Sequence, residues 1–227
     1  MDTDKELALL VEAANANPDV VSAVIVGNET LLRKEVTGQR LAELITRVKS
    51  QVKVPVTYAD VWEFWLQHPQ VAPVVDFLTI HLLPYWEDDP RGIDDALAHV
   101  AEVRRTFGAR FAPKDIFIGE TGWPSEGRQR ETAEPSRVNE ARFVRGFVAL
   151  AEANGWHYNL IEAFDQPWKR ASEGAVGGYW GLYDADRQDK GVLEGPVRSE
   201  ERACSKGRSA TCRCGRSGGW PLPHSRC

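Results

Sequence analysis

Apolar positions along this chain switch between two spacings. Leu7, Leu10, Val11 and Ala14 recur at helical intervals, and Thr3 with Glu6 forms a capping box at their start. An apolar run from Val20 to Val26 follows and ends in Gly27-Asn28-Glu29. Leu41, Leu44, Ile45, Val48 and Val52 return to helical spacing. Val54 to Ala59 reads as a short strand ending at Asp60, and Phe77 to Leu83 as another, running into Pro84-Tyr85-Trp86. Ile93, Ala96, Leu97, Val100 and Phe107 predict a helix. Ile116 to Ile118 predicts a strand that leads into Gly119-Glu120-Thr121-Gly122-Trp123-Pro124. Val138, Ala141, Val144, Phe147, Val148 and Ala151 predict a further helix with Asn154-Gly155 as its C-cap. Tyr158 to Phe164 is the last strand, followed by Asp165-Gln166-Pro167-Trp168.

The strand runs are apolar on both faces, which predicts a parallel sheet buried on both sides, with the helices as crossovers. Strand ends fall at Glu29, Asp60, Tyr85, Glu120 and Asp165, and the first four are separated by 31, 25 and 35 residues. Such spacing fits βαβ units of about 30 residues. Polar and aromatic residues gather at the carboxyl end of each run, where parallel α/β folds place their active face. No glycine-rich G-x-G-x-x-G turn follows the first strand, which weakens a dinucleotide-binding reading. A closed barrel needs eight strands and typically about 250 residues. Five strands leave two architectures: an open sheet, or a barrel without its first three units.

Composition divides the chain in two. All 227 residues sum to a net charge of −5, with 42% hydrophobic and 27% charged residues, the profile of an ordinary globular protein. Residues 198–227, however, carry seven Lys/Arg and two Glu, leaving a body at 1–197 with a charge of −10. An acidic body argues against nucleic acid as the main partner. All four cysteines, Cys204, Cys212, Cys214 and Cys227, also lie in the tail. Cys-x-Cys is a poor match to the usual zinc hairpin, and the Arg/Ser/Gly/Cys mixture reads as disordered, or as the out-of-frame reading of a GC-rich gene.

Glu29 and Glu120 each end a buried apolar run, where a charge is costly unless it serves a purpose. On strands four and seven of a barrel they would face each other across its mouth. A glycosidase needs that arrangement: one carboxylic acid protonates the leaving oxygen, and the other carboxylate attacks the anomeric carbon. Crowding would raise the pKa of one of the pair. The alternative for each is a helix cap or an arginine partner. Trp62, Trp86, Trp123, Trp168, Trp180 and Tyr85 lie at or just after strand ends, where aromatic planes could stack on the C–H faces of a neutral sugar chain. Trp156 and Trp65 read instead as core.

Five motifs in order resemble glycoside hydrolase family 17, in its bacterial β-1,3-glucanase and β-1,3-glucanosyltransferase branch. They are Val-Ile-Val-Gly-Asn-Glu at 24–29, Ile-His-Leu-Leu-Pro-Tyr-Trp at 80–86, Ile-Gly-Glu-Thr-Gly-Trp-Pro-Ser at 118–125, Glu-Ala-Phe-Asp-Gln-Pro-Trp-Lys at 162–169 and Tyr-Trp-Gly-Leu-Tyr-Asp-Ala-Asp at 179–186. The resemblance implies a partial TIM (β/α)8 barrel over 1–197, with strands four to eight present and the first three strand–helix units missing. It implies a retaining mechanism in which Glu29 is the general acid/base and Glu120 the nucleophile. Asn28 would bind the hydroxyl beside the reacting carbon, Tyr85 would orient the nucleophile and contact sugar, and Trp86, Trp123, Phe164 and Trp168 would complete the sugar site. The partner is then a β-1,3-glucan or its oligosaccharides, with water or a second glucan accepting the glycosyl group. An inert or merely glucan-binding fragment is the alternative. No cofactor and no metal site are implied.

Other strand-end residues take plainer readings. Asp60 and Asp165 are expected to be structural or to contact substrate, and His81 to be a satisfied core histidine instead of a carboxylate-orienting one. Asp184, Asp186 and Asp189 lack calcium-loop spacing and read as a solvated acidic loop. The open strand edges of a partial barrel offer a route to self-association. Neither a leader nor an apolar span is evident, which gives the cytoplasm by default, although a longer relative could be periplasmic or membrane-anchored.

Overall fold

Each predicted apolar segment becomes an element of one parallel α/β unit in a computed structural model, which describes residues 3–195. The cysteines and the basic tail lie outside the described residues. In chain order the elements are α1 (Thr3–Ala16), β1 (Val24–Asn28), α2 (Gly38–Lys49), β2 (Val56–Val61), α3 (Trp62–Gln67), β3 (Leu78–Leu82), α4 (Ile93–Phe111), β4 (Ile116–Thr121), α5 (Arg137–Asn154), β5 (His157–Leu160) and the short α6 (Arg170–Glu173). The sheet order is β1-β2-β3-β4-β5, and every adjacent pair is parallel. No described helix is long and apolar enough to cross a membrane.

Local chemistry explains the helix boundaries. Thr37 caps α2 by accepting from Arg40 N–H at 3.2 Å, and Ser136 caps α5 by accepting from Asn139 N–H at 3.1 Å. Gly155 ends α5 in the left-handed region at φ 62°, as the Asn-Gly pair predicts. The core lies between helices and sheet, with Ile45, Val56, Leu78, Ile80, Val100, Ile118, Phe143 and Phe147 fully buried.

Three expectations need correction. The run at 20–26 enters the sheet only at Val24. The amides of Val20 and Val21 both reach back to the Asn17 carbonyl in a turn, leaving Val20 82% exposed. The last strand stops at Leu160, because residues 162–164 pair with 180–183 instead. Burial on both faces holds for β2 and β3 but not for β1 and β5, which are the sheet edges; Ile25 of β1 is 48% exposed.

Lys190 was not singled out by any sequence pattern, yet it is 1% exposed. Its ammonium donates to Ser125 Oγ at 2.8 Å, and to Glu140 Oε1 and Asp165 Oδ1 at 3.1 Å each. This charge network ties the last described segment to α5 and to the chain after β5. Asp165 also accepts from Gly181 N–H at 2.8 Å, so its role is structural. Burial pushes the Glu140 carboxyl up to about 8 despite the ammonium beside it.

Candidate active site

The site residues sit where the β-ladders lose their regular register. Pairing shifts between Ile25 and Asn28 in β1, at Ile80/His81 between β3 and β4, and between Ile118 and Thr121 in β4. Such irregularities re-aim the side chains that follow them. Glu29 is held in the left-handed region at φ 53°, directly after β1, with its N–H bonded to the Ala59 carbonyl at 2.8 Å. Few residues other than glycine adopt this conformation, and strain of this kind gathers at functional sites.

The three irregularities converge on one constellation. Donor atoms of Glu29, His81 and Glu120 all lie within 4.8 Å of one another, the only His/Cys/Asp/Glu trio this close among the described residues. His81 Nδ1 is 2.8 Å from Glu29 Oε1 and 3.8 Å from Glu120 Oε2, and the residue is 1% exposed. The expectation of a bystander core histidine is therefore corrected: His81 is buried, but it is aimed between the two carboxylates. Its ring is seated against Gly119, where a Cβ would come within 3.2 Å of Cδ2 and Nε2.

Burial raises the Glu120 carboxyl above its ordinary range, and the charges of Glu29 and Glu162 add to this, while His81 and Lys169 oppose it. One of the two carboxylates is thus raised, as crowding predicts, although burial is the larger cause. Glu29 also has the arginine partner weighed from sequence: Arg33 Nη1 lies 3.8 Å from Oε2. Arg33 bonds more tightly to Glu35, at 2.7 Å, and to the Asn28 carbonyl, at 2.7 Å.

Two members of this charge cluster, Glu162 and Lys169, stand at the ends of the 162–169 motif with no role assigned from sequence. Glu162 Oε2 accepts from Lys169 Nζ at 2.7 Å and from the Gln166 amide. Glu162 closes an apolar run, as Glu29 and Glu120 do, and that placement was the available signal. Asp60, by contrast, is fully occupied with structure, accepting from the Tyr58 hydroxyl, Val61 N–H and Leu32 N–H. Asp184 accepts from Asp186 N–H and Gln188 N–H and so organises its own turn.

The aromatic residues divide by exposure. Trp168 is 70% exposed and Phe164 41%, so both present open ring surface. Trp86 is half-buried, with one neighbour, Trp180, stacked at 6.2 Å and 12°, and the Arg130 guanidinium 5.7 Å from its ring. Two expectations change. Trp123 is fully buried, donating to the Glu134 carbonyl at 3.0 Å and packing on Tyr85 and Phe143. Tyr85 is also buried, and its hydroxyl donates to the Arg128 carbonyl; among the described residues, His81 is the side chain recorded in contact with both carboxylates. Asn28 is exposed beside Glu29. Cavities of about 460 Å³ beside Trp168 and about 480 Å³ beside Trp86 flank the aromatic rim.

Two carboxylates at the carboxyl ends of parallel strands, separated by a few ångströms, are the working parts of retaining glycoside hydrolases. The chain belongs to the BtgE/BtgC glycoside hydrolase domain family, which matches residues 1–181. It is similar to a glucan 1,3-beta-glucosidase of Arthroderma benhamiae, at 32% identity over 196 residues, covering 80% of this chain and 64% of the relative. A glucan 1,3-beta-glucosidase of Schizosaccharomyces pombe is 29% identical over 200 residues, covering 82% of this chain and 61% of the relative. The chain thus spans less than two thirds of the length of these curated relatives. Among solved structures it resembles an active-site mutant of Rhizomucor miehei beta-1,3-glucanosyltransferase in complex with laminaritriose. The TM-score is 0.75 at 28% identity, covering 86% of this chain and 71% of that one.

Proposed function

We propose that this chain acts on β-1,3-glucan by double displacement with retention. Glu120 is the nucleophile and Glu29 the general acid/base. The five strands are strands four to eight of an eight-stranded barrel, which puts β1 and β4 at positions four and seven. Phe164 and Trp168 supply stacking surface, Asn28 a polar contact, and Trp86 the edge of its ring. Tyr85 and Trp123 act as the packed wall that fixes these groups. Water or a second glucan accepts the glycosyl group, giving hydrolysis or transfer.

One observation carries the reading: carboxylate oxygens of Glu29 and Glu120 lie within 4.8 Å of each other. Retaining enzymes hold their carboxyl groups about 5–5.5 Å apart, whereas inverting ones leave about 6.5–9.5 Å for a water. The nucleophile must be ionised, and burial raises the Glu120 carboxyl, so the acid limb of activity should lie higher than an unburied glutamate would set it.

Incubation with laminari-oligosaccharides and mass analysis of the products tests this. Wild-type chain should yield shortened or extended oligosaccharides, with the β-anomer formed first by NMR. Glu120→Gln should lower turnover by roughly 10³-fold or more. Unchanged cleavage by Glu120→Gln sinks the assignment. The open edges of β1 and β5 favour a second reading, in which the chain is inert or binds glucan without turnover. Oligosaccharide binding with no product by wild type would establish it.

A further inference from the structure

We infer that His81 is a positioning residue that serves both carboxylates in turn, passing one hydrogen bond from Glu120 to Glu29 as negative charge moves between them. This rests on the glutamate roles proposed above. In the first displacement Glu120 is the anion and Glu29 holds a proton. A Glu120 oxygen bonds to the anomeric carbon, the bond from that carbon to the leaving oxygen breaks, and the leaving oxygen takes the Glu29 proton. The glycosyl-enzyme then carries an ester at Glu120 and a carboxylate at Glu29. In the second displacement the acceptor hydroxyl gives its proton to Glu29, its oxygen bonds to the anomeric carbon, and Glu120 leaves as the carboxylate. One negative charge is present throughout, on alternating residues.

A single donor between the two sites can follow that charge. With its proton on Nδ1, His81 bonds Glu29 Oε1 at 2.8 Å in this structure, so the first displacement requires about 1 Å of carboxylate movement to bring Glu120 Oε2, now at 3.8 Å, to the same proton. The ring is buried, so bulk water does not compete for that proton, and it packs over Gly119, where a side chain would crowd it. Other charged groups around the pair are already committed. Arg33, behind Glu29, is held by Glu35 at 2.7 Å, and Lys169, near Glu120, by Glu162 at 2.7 Å. Asp60, on the neighbouring strand, is occupied by Tyr58, Leu32 and Val61. Among the described residues, His81 is the side chain recorded in contact with both glutamates.

The test uses a dinitrophenyl β-laminaribioside, whose leaving group departs without acid help, so that kcat reports the second displacement. His81→Leu removes the donor. His81→Asn returns an N–H near the Nδ1 position. His81→Leu should lower kcat roughly 10- to 100-fold and move its acid limb up by about one pH unit or more, because the Glu29 anion loses a charge-assisted hydrogen bond. His81→Asn should recover most of both effects. Thermal unfolding of each variant separates these effects from loss of fold. An unchanged acid limb in folded His81→Leu, or folded His81→Asn as impaired as His81→Leu, overturns the inference. No turnover by the wild-type chain would instead sink the proposed function itself.

Discussion

Gly119 has no side chain because its neighbours occupy the space one would need. A Cβ there would lie 2.5 Å from Thr79 Cγ2 and 3.2 Å from two atoms of the His81 ring. Carbon pairs rest at about 3.5–4.0 Å, so Gly119→Ala creates a methyl clash of about 1 Å or more. Thr79 is fully buried, and its hydroxyl lies 3.0 Å from that of Thr57, so rotating it away forfeits a hydrogen bond. Overpacking costs about 1–3 kcal/mol and the lost bond about 1, giving about 2–4 kcal/mol in all. For a chain of this size that is a fall in Tm of about 5–15 °C. The His81 ring need give by only a few tenths of an ångström, so turnover should fall by less than the roughly 10²-fold that a misplacement of about 1 Å costs. Thr79→Ser deletes the clashing methyl and keeps the hydroxyl. In urea titrations of the two single variants and the double, the double should therefore be more stable than additivity allows by more than about 1 kcal/mol. Near-native stability of Gly119→Ala, or strict additivity in the cycle, would refute the steric argument.

Two further outcomes follow from the same packing. Glu140 titrates near 4.5 when unfolded and near 8 when folded, so the folded chain holds a proton that the unfolded chain releases. Stability should fall as pH rises from about 4.5 to about 8, and Glu140→Gln should flatten that slope in urea titrations at pH 5.5 and 8; an identical slope would exclude Glu140 as its source. Trp168→Ala removes an exposed ring, so stability should barely move, within about 0.5 kcal/mol, while calorimetry should show laminari-oligosaccharide binding weakened by about 1 kcal/mol or more. Unchanged affinity would remove Trp168 from the sugar site.

The sequence made the strand ends legible because charge directly after a buried run is rare, and that signal located Glu29 and Glu120. It offered His81 two roles, core or carboxylate-orienting, and favoured the first, because a histidine between Ile80 and Leu82 has no local signal that aims its ring. The orientation of His81 depends on a ladder shift that only Gly119, on the next strand, hints at. Edge and central strands have similar composition, so the exposure of Ile25 followed from sheet order, which no residue pattern records. Tyr85 and Trp123 stand beside the motif residues in sequence, but their burial was set by Arg128, Glu134 and Phe143, which reach them from later in the chain. Lys190 was invisible for a related reason. A lone lysine in a loop has no period, and its three partners are 25, 50 and 65 residues away.

That distance has a consequence for synthesis. The ribosome makes Glu140 and Asp165 well before Lys190, and both acids are destined for burial. Until the lysine emerges, α5 and the chain after β5 carry two acids without the ammonium that faces them, and docking them means burying polar groups that lack that partner. Completion of this end of the sheet is therefore timed by a residue near the end of the described chain. A chain released anywhere between 166 and 189 would lack the ammonium that Glu140 and Asp165 share.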